Sequence, residues 1–327
     1  MGVELYMLKN NKLGLKRFNM RTLVAKKAVK KVAVKKAATS VKVKKISSFR
    51  PKVRSRHPSH SPLRTRLPLL PFRSVVRLGS TTVENDVVAL GGNRIECNTV
   101  QAVRNSASKL LMKQCFTRAG VKTPQWYIHN GRTFICKDGN TEVPTSITNL
   151  PYPIIAKHIH GSRGTGNYKL NNQTELSSWL RGKTLSNYIF ERFYSYNKEY
   201  RIHVTSTGYF YTCRKMLKRD ADESNSWQRH DDNCVWIVEE NPSFDKPVNF
   251  NRIVQDCVTA LNAVGLDIGA FDVKVQSTLD SKKIKRESPE WIIIESCSAP
   301  SFGEITTQKY IEQIPLVLKR KYEGRRI

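Results

Sequence analysis

Acidic residues are all but missing from the first quarter of this chain. In a sequence of 327 residues, no Asp or Glu occurs between Glu4 and Glu84. Residues 1–83 carry 22 Lys/Arg against one acid, so they hold +21 of the net charge of +29. A segment of that composition cannot bury a core and is expected to be disordered by itself. Paired cysteines are also missing. There are seven, at 97, 115, 136, 213, 234, 257 and 297, an odd number with no CxxC. That argues against a disulfide framework and for reduced thiols in a cytoplasm. No apolar run approaches the ~18–20 residues of a membrane helix, so no membrane partner is expected. The N-terminus lacks the charge-then-apolar order of a secretory signal, and MGVELY has no Ser/Thr at position six for myristoylation. No repeat occurs within 74–327.

What is present falls into three parts. Residues 1–49 form an Ala/Val/Lys-rich basic tail in which AKKAVKK and VAVKKAA nearly repeat, and which is similar to the lysine-rich tails of histone-like proteins. Met7 and Met20 offer alternative starts. Such an arm is a solvated charge run, a DNA- or RNA-binding segment (or one for another polyanion), or an organellar leader. Residues 50–73 are an Arg/Pro/Ser linker, kept extended by five prolines. The folded part is expected from 74. A strand is expected at Ser74–Gly79, a single helix at 98–119 capped by Asn98 or Thr99, and strands within 121–137, followed by a loop at 138–150. Lys109 and Lys113 lie off that helix's apolar stripe and read as surface residues. Further expectations are a short helix at Gln173–Leu180, strands at Tyr188–Phe193, Tyr200–Thr205, Tyr209–Lys215 and Cys234–Glu239, and a polar loop at 218–233. Ile253, Val254, Cys257, Val258, Leu261 and Val264 share one face of a helix at Asn251–Val264, with Gly265 as its C-cap. Strands follow at Leu266–Gln276 and Trp291–Glu295, then a helix from Thr306 that should stop at Pro315.

The chemistry centres on PIIAKHIHGSRGTGNYKL. An apolar strand run ends at Lys157, a loop with Gly161, Ser162, Gly164, Thr165 and Gly166 follows, and a second extended run closes a hairpin. Glycine backbone can approach an anion closely. The loop matches neither GxxxxGK[ST] nor a GxGxxG that leads into a helix, so it reads either as a hairpin lid over phosphate or as a structural turn. Downstream, a hairpin centred near residue 283 sets Asp272 opposite Glu295. Two ionised carboxylates at that spacing need a cation between them, or a proton, or basic neighbours; Mg²⁺ held with substrate phosphates fits. Lys157, Arg201, Arg214 and Lys215 occupy strand positions that call for anionic partners. His158 and His160 read as structural histidines, and Cys297 and Ser298 have no activating His pattern.

The order of these parts carries a resemblance. SASKLLMKQCFTRAGVKTP with Lys109, Lys157 before a glycine loop, IFERFYSYNKEYRIHV, GAFDVKV and IIIESCSAPSFGE together resemble the ATP-grasp superfamily over about residues 75–320. The look is closest to bacteriophage ATP-grasp proteins of unassigned substrate, and more distant from the glutamate-ligase and D-alanine–D-alanine ligase types. The resemblance implies an α+β fold of two subdomains that enclose ATP: a short N-terminal part at 74–120, a lid at about 121–192 and a catalytic part at about 193–327. It implies Lys109 and Lys157 on the phosphates under the lid Gly161–Gly166. Glu191, with the main chain of Arg192 and Tyr194, would hold adenine, and Glu199 the ribose. Arg201, Arg214 and Lys215 would face phosphate or an acyl intermediate, and Asp272 and Glu295 would hold Mg²⁺ or Mn²⁺. The implied activity is carboxylate–amine ligation through an acylphosphate, in a cytoplasm that would be the host's if the chain is viral. The acid and amine are unassigned, and a protein or peptide terminus is one candidate. One departure stands out: Cys297 takes the place where the family usually has a metal-binding Asn. A thiol suits the hard Mg²⁺ ion poorly, which leaves a nucleotide-binding protein without ligase activity as the alternative.

Overall fold

The structure is a computed structural model that describes residues 5–8, 17–18, 73–81, 94–139, 141–162, 164–221, 227–229, 233–279 and 282–324. Within the segment expected to be a disordered tail, β1 (Leu5–Leu8) and β2 (Arg17–Phe18) are strands, and the rest of that tail and nearly all of the linker lie outside the described residues. The strands β3 (Arg73–Arg77) and β4 (Arg94–Cys97) complete a sheet of order β2-β1-β3-β4, in which β1, β3 and β4 run parallel. The strand β4 has no counterpart in the sequence expectations, because its four residues alternate charge and apolar character too briefly to register.

The helix expected over 98–119 is two helices, α1 (Val100–Ala107) and α2 (Lys109–Arg118). Ser108 separates them. Its backbone is extended, its N–H donates to Arg104 O, and its hydroxyl accepts from Leu111 N–H at 3.4 Å. One serine therefore ends the first helix and caps the second. Thr99 caps α1 by accepting from Ala102 N–H. Asn98 has φ +61° and spends its side chain on Asp267 and Ile268 instead.

The second sheet contains β5 (Trp126–His129), β6 (Phe134–Asp138), β7 (Thr141–Thr145), β8 (Ile154–His158) and β9 (Asn167–Leu170). The helix α3 (Gln173–Leu180) and β10 (Tyr188–Arg192) follow, and the strand order is β7-β6-β5-β10-β8-β9. The expected loop at 138–150 is thus partly a hairpin strand, paired from Phe134–Thr145 to Asp138–Thr141.

The third sheet has order β13-β12-β11-β14-β15 and is antiparallel throughout. Its strands are β11 (Lys198–Thr205), β12 (Gly208–Leu217), β13 (Cys234–Val238), β14 (Ile268–Val275) and β15 (Trp291–Cys297). The helix α4 (Phe250–Val264) lies on one face and ends at Gly265 with φ +79°, a left-handed cap that glycine adopts without strain. The main core joins Ile253, Cys257, Leu261 and Val264 of α4 to Met112 and Phe116 of α2 and to Ile202, Phe271, Val273 and Ile293 of the sheet. That packing leaves the opposite sheet face for the cleft.

The last helix, α5 (Glu304–Glu323), runs through Pro315. Tyr310 and Ile314 before the proline and Val317 and Leu318 after it are all buried with Val76 and Ile95. Burial on both sides holds the helix together across the missing N–H. Among the described residues, no helix is long and apolar enough to cross a membrane.

Candidate active site

The free face of the third sheet is a grid of charges. Period-two alternation along each strand sets Arg201 opposite Asp272 and Asp272 opposite Glu295, with Lys215, Glu199 and Lys274 in the adjacent row. The pairing of Asp272 with Glu295 is the one expected from the hairpin centre. A register shift follows it, since Val273 pairs with Ile293 and Ile294 is left over. This bulge turns both Ile294 and Glu295 into the cleft.

Asp272 is nearly fully buried. Arg201 Nε and Nη2 donate to its Oδ1 and Oδ2 at 2.7 and 2.9 Å, and Lys215 Nζ donates to Oδ2 at 2.6 Å. Burial alone would raise the Asp272 carboxyl; Arg201 and Lys215 instead hold it well below the usual carboxylate range. Lys215 also reaches Glu199 Oε1 at 2.9 Å, and the guanidinium of Arg201 and the ammonium of Lys215 both lie over Trp236.

Across the cleft stands the β8–β9 hairpin. Lys157 Nζ contacts Glu191 Oε2 at 2.7 Å, and Lys113 Nζ reaches Glu191 Oε1 at 3.0 Å. Burial would push the Glu191 carboxyl up, and the two lysines hold it down. Burial wins at Lys113, whose ammonium is lowered to about 8. The expectation that Lys109 and Lys113 are surface residues is therefore overturned. Both are buried on α2, which starts anew after the break at Ser108. Lys109 donates to Gly161 O at the base of the glycine loop and lies 3.5 Å from Glu295 Oε1. It links the glycine loop to the carboxylate pair.

The glycine loop is tightly wound. His158 O accepts from Gly161 N–H, Ser162 O accepts from Thr165 N–H, and Gly164 O accepts from Asn167 N–H. Gly164 and Gly166 both have φ +77°. A Cβ on Gly166 would lie 2.8 Å from His158 Cβ, and one on Gly164 would meet Gln228 Oε1 at 2.9 Å. Arg163 lies outside the described residues. His158 Nδ1 accepts from His160 N–H and its ring packs edge-on against Tyr188, as expected of a structural histidine.

Sheet and hairpin enclose a cleft of about 730 Å³. Of the residues expected there, Lys157, Ser162, Gly164, Glu191, Arg192, Tyr194, Glu199, Arg201, Lys215, Asp272 and Glu295 line it. Arg214 does not. It neighbours Lys215 on the same strand and so points to the other face, where it pairs with Asp245 at 2.5 Å beside Lys198. Two implied adenine contacts are already engaged: the Glu191 carboxylate by its two lysines, and the Arg192 N–H by Gln125 O at 2.9 Å. Arg192 is exposed, with its guanidinium over the Tyr194 ring. Cys297 lines the cleft as a neutral thiol, since burial pushes it up to about 12.

The structure adds residues not singled out beforehand. Pro124, Ile155, Ile292 and Ile294 supply apolar walls, Lys274 stands beside Glu199, and Trp227, Gln228 and Arg229 close the top against the lid. Among the described residues, Asn167 Oδ1, Gln228 Oε1 and Arg229 Nη1 are buried in this lining without hydrogen-bond partners. Buried polar groups are normally satisfied, so three such atoms around one cleft point to a polar ligand. The signal for Lys274 was its two-residue step from Asp272; the Trp-Gln-Arg run offered no signal, since it falls in a polar loop.

No protein-family model matches the chain, and no curated protein matches it. Among solved structures, a D-alanine–D-alanine ligase from Bacillus anthracis is similar at a TM-score of 0.53 and 13% identity, covering 77% of this chain and 81% of that one. A carboxyaminoimidazole ribonucleotide synthase from Aspergillus clavatus, complexed with ATP, is similar at a TM-score of 0.50 and 15% identity, covering 75% of this chain and 60% of that one. The chain has the ATP-grasp fold: mixed sheets and helices that enclose one cleft between a glycine hairpin and a carboxylate-bearing sheet.

Proposed function

We propose that this protein is an ATP-dependent carboxylate–amine ligase that forms ADP. The observation that carries the reading is the Asp272–Glu295 cross-strand pair facing Lys157 and the glycine hairpin across the cleft. The solved neighbours are a D-alanine–D-alanine ligase and a synthase in complex with ATP. Lys157, with Ser162 and the loop backbone, would hold the phosphates. Phe193, Ile155, Ile292 and Ile294 would sandwich the base, and Glu199 would take ribose hydroxyls. Arg201 and Lys215 would stabilise charge at the reacting end.

The donor set fits one hard cation only through Glu295 and the Asp272 lone pairs that Arg201 and Lys215 leave open. Two carboxylates together with substrate phosphates are an ordinary magnesium shell. Among the described residues, no group of three or more His, Cys, Asp or Glu side chains could hold a metal, and a neutral Cys297 is a poor oxygen substitute. When bound, Mg²⁺ would neutralise charge on the transferring phosphoryl group. In the first step a carboxylate oxygen of the substrate attacks the γ-phosphorus, the bond to the β-bridging oxygen breaks, and ADP leaves. An amine then attacks the acyl carbon, phosphate departs, and the nitrogen loses a proton. The chain's own work is positioning and charge neutralisation, and no protein nucleophile is needed.

The reading is tested by thermal unfolding with and without Mg-ATP. Wild type should gain stability by ligand linkage, and Asp272→Asn with Glu295→Gln should lose the magnesium dependence of that gain. A gain of the same size without magnesium in wild type would remove the metal assignment. A second reading, nucleotide binding without ligation, is favoured by Cys297. It predicts the same stabilisation with no ADP formed over a broad panel of acids and amines.

A further inference from the structure

The back of the second sheet carries a row of rings that the cleft does not use. Strand alternation separates the two faces. Asn167 pairs with Lys157 and lines the cleft, so Tyr168, the next residue of β9, faces the other way beside Ala156. There its ring centre lies 5.4 Å from that of Trp179 on α3. Trp179 meets Tyr188 edge-on at 4.8 Å, and Tyr188 meets His158 edge-on at 5.3 Å. The rings thus form an unbroken row over β9, α3, β10 and β8.

The helix above this row is too short to cover it. The eight residues of α3 span about 12 Å and bury Leu176, and the chain then turns away at Gly182, φ +73°. Tyr168 stays 38% exposed, and Trp179, Tyr188 and His158 are each partly exposed. The turn also sets charge beside the rings. Lys183 Nζ stands 5.4 Å from the Tyr168 ring centre and 5.6 Å from that of Trp179. Arg181 is exposed two residues earlier. Among the described residues, neither cation has a carboxylate within ion-pair distance. Glu175, in the first turn of α3, is already engaged, because its carboxylate accepts from Asn171 N–H and Asn172 Nδ2.

We propose that this ledge binds single-stranded nucleic acid, with a base stacked on Tyr168 and phosphates on Lys183 and Arg181. An exposed flat ring beside two uncompensated cations matches a partner in which flat rings alternate with negative charge. A duplex hides its base faces within the stack, and an acidic peptide brings charge without a ring to stack. Lysine and arginine supply charge-assisted donors to a phosphate oxygen. The net charge of +29 favours the same class of partner. The inference does not depend on the ligase reading, since ledge and cleft lie on opposite faces of the hairpin.

The test is fluorescence anisotropy of the full chain with labelled oligothymidylate and with an abasic strand of the same length. The abasic strand keeps the phosphates and therefore reads charge alone. Wild type should bind the base-bearing strand more tightly. Tyr168→Ala should lose about tenfold in affinity for that strand and nothing for the abasic one. Tyr168→Leu, which keeps an apolar contact with Trp179 but has no flat face, should show the same loss, and Tyr168→Phe should bind as wild type does. Lys183→Gln should weaken both strands and reduce the salt slope by about 0.7. Thermal unfolding checks the fold of each variant. Equal affinity of wild type for the two strands would overturn the inference. So would wild-type affinity for oligothymidylate in the alanine and leucine variants, or a loss of equal size on the abasic strand.

Discussion

Lys113 shows how one residue changes meaning when the chain folds. As part of a long amphipathic helix it read as solvated; in the structure it is fully buried against Glu191, with Thr123 as a second partner. Removing it leaves Glu191 one lysine short in a buried site. Lys113→Met should therefore destabilise the protein by about 3 kcal/mol or more, measured by urea unfolding. Lys113→Met combined with Glu191→Gln should recover part of that loss, since no uncompensated carboxylate then remains. Arg214 carries the complementary lesson. Its strand was legible, but alternation alone does not say which of Arg214 and Lys215 faces the cleft; that depends on α4 packing on the other face. His203 makes a prediction in pH. Burial lowers its imidazole to about 3, and its Nδ1 lies 3.2 Å from the Tyr310 hydroxyl. The unfolded chain takes up a proton near pH 6.5 while the native protein does not. His203 therefore costs stability as pH falls from about 6.5 to about 3, at up to ~1.4 kcal/mol per pH unit. His203→Phe should flatten the stability–pH profile over that range, and an unchanged slope would show that other groups set it.

At the scale of elements, the parts that were legible are those whose pattern is long and locally punctuated. The helix α4 has about four turns of consistent apolar spacing and a glycine cap. The β14–β15 hairpin has two apolar runs around a charged loop, enough to set Asp272 against Glu295. The bulge at Ile294 was not legible, because a one-residue register shift leaves the composition unchanged. The split at Ser108 was hidden by residues that suit a helix on both sides. Pro315 illustrates tertiary packing overriding local preference: Ile314 and Val317 flank it in the core. Pro315→Ala restores one N–H and should raise the thermal midpoint, by an amount that corresponds to no more than ~3 kcal/mol. The glycine lid offers a matched pair. Gly166 and Gly182 have similar positive φ, +77° and +73°, but an added Cβ meets His158 at the first and open space at the second. Both alanine variants carry backbone strain. Only Gly166→Ala should also weaken nucleotide binding, and equal losses in calorimetric titration would separate lid shape from nucleotide affinity.

For the whole molecule, fold class came from the order of modest motifs along the chain, since no single one identified it. The substrate stays illegible for a physical reason. The residues proposed to hold a nucleotide are spread over the strands described here, whereas the walls at the proposed acceptor end are short stretches such as Ala299–Phe302, whose side chains encode little chemistry. The basic arm is a separate matter of charge. With +21 in residues 1–83, we propose that it binds nucleic acid electrostatically. Affinity for duplex DNA should then fall linearly with log salt, and replacing the lysines of 26–45 by glutamine should remove most of the slope while nucleotide binding persists. The most direct test of the central claim is to incubate the protein with Mg-ATP and a small-molecule cell extract, and to follow nucleotides and new products by mass spectrometry. Ligation through an acylphosphate predicts ADP and phosphate, together with a product whose mass is that of an acid plus an amine less one water. AMP and pyrophosphate in their place, or no nucleotide turnover with any fraction of the extract, would contradict it.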